Sequence, residues 1–94
     1  MKRCVLLKLK EGVDPVQVQE KLWQGYRKLD GTLDWLTHPV IHRSCRSGDD
    51  YDLMAVFNIE EEEKLEAYLA HPLMAKMTEA LEDLVERKAV FDHY

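Results

Sequence analysis

Cysteine is scarce in this sequence, and the two present, Cys4 and Cys45, follow no metal-ligand spacing and frame no disulfide scaffold. They read as free thiols of a reducing cytoplasm. Neither has a neighbouring His or Lys pattern that would activate it, so inert packing is expected. Long apolar runs are missing too, and no stretch approaches a membrane span. The opening MKRCVLLKLKEG threads lysines through its apolar residues and lacks a small-residue cleavage site, so it does not read as a signal peptide. Positive charge is short: 13 Lys and Arg against 18 Asp and Glu leave a formal charge of −5. That balance argues against nucleic acid and against an anionic membrane, both of which select a basic face. There is no glycine-rich phosphate loop, no G-x-S-x-G, no H-E-x-x-H, and no repeat. No cofactor and no metal are expected.

What remains is the composition of a small globular domain, 46% hydrophobic and 33% charged over 94 residues. One domain over residues 1–94 is expected, small enough that oligomerisation is a natural source of extra burial. Residues 3–12 alternate as a first strand, with Arg3, Val5, Leu7 and Leu9 on one face and Cys4, Leu6 and Lys8 on the other. Asp14-Pro15 supplies a helix cap followed by proline at the first helical position. Val18, Leu22, Tyr26 and Leu29 then mark an amphipathic helix of roughly 14–16 residues, with Trp23 widening the stripe. Gly31 is positioned to take the positive φ of a helix end.

Residues 32–45 alternate weakly as a strand, and Pro39 within them, lacking a ladder donor, points to an edge or a bulge. Residues 46–50 form a polar turn, and 51–59 a strand with Leu53, Ala55 and Phe57 on one side and Met54 and Val56 on the other. A glutamate-rich start, suited to the helix dipole, opens a short helix over 60–70. Pro72 opens another, whose stripe is Met77, Leu81 and Leu84, with Leu73 and Met74 beside it. A final strand over 87–94 sets Val90 and Phe91 on opposite faces.

The order β-α-β-β-α-β, with the second helix in two pieces, predicts an α+β, ferredoxin-like fold. Its four-stranded antiparallel sheet would carry helices on one face. The first and third strands are apolar on both faces, and helices cover only one. A second copy related by a two-fold axis is the simplest cover for the other, so a homodimer through the sheet face is expected.

VLLKLKEGVDP at the start, YDLMAVFNIEEEEKLEAYLAHP in the middle and LVERKAVFDHY at the end resemble the stress-responsive alpha–beta barrel (Dabb) domain. The resemblance covers nearly the whole chain and is weakest at 31–48. It implies a dimeric alpha–beta barrel, two ferredoxin-like sheets meeting face to face, with a small cavity between each sheet and its own helices. A plant polyketide cyclase of the family uses a histidine base in an HPxH segment, assisted by a tyrosine. Here the segment is His71-Pro72-Leu73-Met74, which sets Met74, unable to accept a proton, at the position of the base. Tyr68 matches the tyrosine. Two further pocket histidines of the cyclase align with Arg3 and Leu53. The resemblance therefore gives the fold and a binding cavity while arguing against that cyclase chemistry.

The candidate site residues follow. His71 precedes a proline and so belongs at a helix boundary, where it can cap the helix or line the cavity as a base or ligand contact. His42 is the other candidate base, and Tyr68 the candidate partner. His38 and His42 stand roughly 13 Å apart in a regular strand, too far to share a metal unless a bulge at Pro39 draws them together. Arg3 lies on the strand face expected to meet the helices, where it would favour an anionic or carbonyl-bearing ligand, or else reaches solvent at the sheet margin. Trp35 and Tyr68 line a pocket or belong to the core. Two functional readings result. The first is a homodimer binding a small apolar or aromatic molecule in its sheet–helix cavity, unless Leu22, Trp23, Met74 and Met77 fill that space. The second is a cofactor-independent enzyme of the same fold, a cyclase, isomerase or small monooxygenase, using a histidine base.

Overall fold

The computed structural model describes residues 1–46 and 48–94. The chain runs β1 (Lys2–Leu9), α1 (Pro15–Thr32), β2 (Leu36–Arg43), β3 (Leu53–Ile59), a short 3-10 turn (Glu62–Lys64), α2 (Leu65–Ala70), α3 (Pro72–Leu81) and β4 (Val85–His93). All pairings are antiparallel and the sheet order is β2-β3-β1-β4. This is the ferredoxin-like α+β arrangement that the element order predicts. Among the described residues, no helix is long and apolar enough to cross a membrane.

Local signals explain the boundaries. The Asp14 side chain accepts the Val16 N–H at 2.9 Å and Pro15 follows it, so α1 begins where the cap is satisfied. Its buried face is Val18, Leu22, Tyr26 and Leu29. The helix runs on through Gly31 to Thr32, longer than its stripe suggests, and the expected left-handed glycine end does not form. Leu33, in extended backbone, closes the helix by donating its N–H to the Leu29 carbonyl at 2.8 Å. Positive φ occurs instead at Gly12 and Gly48, in the connections. The turn expected over 46–50 includes Ser47, which lies outside the described residues.

Pro39 behaves as its chemistry requires. β2 is an edge strand, and its register against β3 slips between Thr37 and Val40, with His38 at φ 56°. One extra residue bulges there, sparing the ladder a donor that proline lacks. The second helical segment breaks at His71, whose extended backbone (φ −66°, ψ 137°) is what a following proline enforces.

The core lies between the sheet and the helices. Val5, Leu7 and Leu9 of β1 and Leu53, Ala55, Phe57 and Ile59 of β3 meet the buried face of α1, with Tyr68 from α2 completing the layer. Tyr26 and Phe57 stack at 4.9 Å between centroids, and Phe57 and Tyr68 at 5.2 Å. Helices α1 and α3 approach closely at Gly25, where any Cβ would collide with Met77 Sδ. Among the described residues, no helix packs on the other sheet face. Cys4 stands there between Val56 and Phe91, and Leu6 between Met54 and Ala89. Phe91 is 64% exposed and Val40 44%.

Candidate functional site

The helices pack toward β2 and β3, while β4 closes the opposite edge of the sheet with little helix above it. The offset leaves a cavity of about 340 Å³ over β1 and β4, roofed by α2 and α3. That volume falls near the lower end of small-molecule sites, about 300–1,000 Å³. Its walls are mostly apolar: Val5, Leu22, Met74, Met77, Leu81 and Val90. Leu22, Met74 and Met77 therefore bound the space without filling it. Trp23 points elsewhere, 37% exposed with the Arg27 guanidinium 5.8 Å from its ring centroid.

The polar end is assembled from three elements. Arg3 on β1 enters between the strand face and α2, its side chain only 11% exposed, with its guanidinium 5.7 Å from the Tyr68 ring centroid. Cross-strand pairing sets Asp92 of β4 beside it, and Arg3 Nη1 donates to the two Asp92 carboxylate oxygens at 3.3 and 3.1 Å. Tyr68 from α2 and Tyr26 from α1 join hydroxyl to hydroxyl at 2.9 Å. Burial pushes both phenols up from their ordinary pKa, and for Tyr68 the neighbouring Tyr26 pushes the same way, against the opposing pull of Arg3. Both therefore stay neutral near pH 7. They serve as hydrogen-bonding groups, and the Arg3 cation faces the same space.

Of the residues singled out from the sequence, the structure brings Arg3 and Tyr68 together at the cavity and leaves the others apart. His71 does not line it: the ring Nδ1 accepts the Leu73 N–H at 3.1 Å, capping α3. His42 pairs with Met54 on the helix-free face and is exposed, with the sheet between it and the cavity. Trp35 precedes β2, at the far edge of the sheet from β4, and packs half-buried against the core there. His38 sits exposed at the bulge. Among the described residues, no group of three or more His, Cys, Asp or Glu is placed to hold a metal ion. Met74, at the position of the cyclase base, does line the cavity and supplies only a thioether.

Two members of the site lie outside the residues that the sequence singles out. Tyr26 belongs to the core as its place in the apolar stripe of α1 implies, and the signal of its further role is the hydroxyl, which needs a partner when buried. Asp92 belongs to the V-F-D ending, but its place beside Arg3 follows only from the β1–β4 register.

The fold and cavity define a ferredoxin-like α+β protein with a ligand-sized space under its helices. The sequence pattern of the Stress responsive A/B Barrel Domain (Dabb) family matches residues 1–94, so the chain belongs to that family. Among solved structures it is similar to a dimeric protein of unknown function and ferredoxin-like fold from Bacteroides fragilis, with 17% identity and a TM-score of 0.83, covering 98% of this chain and 92% of that one. It is also similar to a dimeric ferredoxin-like protein of unknown function from Thermobifida fusca, at 20% identity, TM-score 0.76, and coverage of 96% and 85%. A hydroxynitrile lyase from Passiflora edulis shares the fold at 9% identity, TM-score 0.77, and coverage of 98% and 89%. No curated protein matches the sequence significantly.

Proposed function

We propose that this chain acts as a homodimer that binds a small apolar or aromatic molecule in its sheet–helix cavity, Arg3 and Tyr68 marking the polar end. The observation that carries the reading is the cavity itself, about 340 Å³ with mostly apolar walls and a few convergent polar groups at one end. Two solved structures of this fold are described as dimeric, and the helix-free sheet face here exposes Phe91 and Val40 beside Leu6 and Val56. A second copy laid on that face is the simplest way to cover it. Two unpaired cysteines fit a reducing cytoplasm, and the acidic balance of −5 fits neither nucleic acid nor an anionic membrane as partner.

The alternative, a cofactor-independent enzyme with a histidine base, has less support. A base needs hydrogen-bond reach to the substrate, and neither His71 nor His42 lines the cavity.

The binding reading is tested with 4-butylbenzyl alcohol as probe, followed by amide chemical shifts. Shifts clustered at Val5, Leu22, Met77 and Leu81 are expected. Thr78, exposed on α3 at the cavity wall, offers a plug: Thr78→Trp should weaken binding about tenfold or more while melting near wild type. Undiminished binding in that variant puts the probe elsewhere and removes the proposal.

A further inference from the structure

The cavity's polar end holds donors that its own acceptors leave unmet. Arg3 contacts Asp92 through Nη1 alone, so the Nε–Nη2 edge of its guanidinium takes no part in that ion pair. Its Nε–H is buried and has no hydrogen-bond partner among the described residues. Nη2 makes no hydrogen bond among the described residues either, and of the two it is the nitrogen with surface that a ligand in the cavity can reach. The tyrosine pair adds a second donor. Tyr26 and Tyr68 share one hydrogen bond, which consumes one phenolic proton and leaves the other hydroxyl able to donate.

We infer that the cavity's ligand is an organic carboxylate with an apolar body, its charge received by the Arg3 guanidinium at Nη2 and its body lying against Leu22, Met77 and Leu81. The inference rests on the cavity-binding reading and narrows it to one chemical class. A carboxylate makes a charge-assisted hydrogen bond to arginine, which a neutral hydroxyl or ester cannot match. Asp92 keeps its own contact through Nη1, so the ligand adds to the ion pair without displacing it.

The test compares 4-butylbenzoate with its neutral counterpart, 4-butylbenzyl alcohol, at pH 7 by titration calorimetry. The carboxylate should bind at least about tenfold more tightly. Arg3→Met should erase that preference, so that the two probes bind alike. Arg3→Lys, which keeps the charge without the guanidinium, should recover only part of it. A conserved preference in Arg3→Met would overturn the assignment to Arg3. Equal affinity for the two probes in the wild type would overturn the carboxylate and leave the cavity standing. Failure of both probes to bind would overturn the cavity reading together with this one.

Discussion

Two buried phenols carry the alkaline behaviour expected of this protein. Tyr26 and Tyr68 are raised in the folded chain, chiefly by burial, whereas in the unfolded chain each titrates near about 10. The folded state therefore binds their protons more tightly. Their contribution is fully present below pH ~10 and declines above it, as unfolded phenols begin to lose protons. The slope is about 1.4 kcal/mol per pH unit for each phenol whose unfolded form has titrated. Urea unfolding between pH 9 and 11 should show this decline in the wild type, and a shallower one in the double variant Tyr26→Phe, Tyr68→Phe. Replacing both tyrosines avoids stranding one hydroxyl, which alone would cost about 1–3 kcal/mol. Identical slopes in the two proteins would mean that the phenols are not titrating as burial requires.

At the level of elements, the junction of α2 and α3 shows how one histidine can serve the backbone. Pro72 forbids His71 helical geometry and lacks an N–H of its own, so the next donor, Leu73, is met by the imidazole Nδ1. His71→Ala should lower stability by about 1 kcal/mol, and His71→Asn, a good cap, should restore most of it. Affinity of the cavity for 4-butylbenzyl alcohol should stay within a few-fold in both. A loss of affinity with stability unchanged would return His71 to the ligand site. The Pro39 bulge follows a similar logic on β2, where His38 accepts a left-handed backbone at φ 56° so that the register can slip.

For the whole molecule, the sheet has two apolar faces and one set of helices. Val56 lies in the middle of the uncovered face, between Cys4 and Val40. Light scattering should give twice the chain mass at micromolar concentration. Val56→Glu should shift the population to single chains, because a charge buried there would be unpaired and would cost several kcal/mol. A wild type that remains a single chain at high concentration removes the dimer from the proposed function.

Periodicity made most of the architecture legible. The stripe Val18, Leu22, Tyr26 and Leu29 fixes a buried helix face, alternation in β1 and β3 fixes two apolar sheet faces, and Pro39 marks an edge or bulge, because each is a property of residues near one another along the chain. Two of the proposed site residues, Arg3 and Tyr68, could be named from the sequence for the same reason: face and motif position are local. Which groups meet was decided only in three dimensions. Asp92 reaches Arg3 across 89 positions of sequence, and Tyr26 reaches Tyr68 across 42. Strand order, a long-range property, sets β2 and β4 on opposite edges of the sheet. It thereby separates Trp35 from the cavity, and the alternation of β2 turns His42 to the opposite face. Residue type and spacing determine which faces are apolar; packing over distant segments determines where a gap remains and which donors are left to meet a ligand.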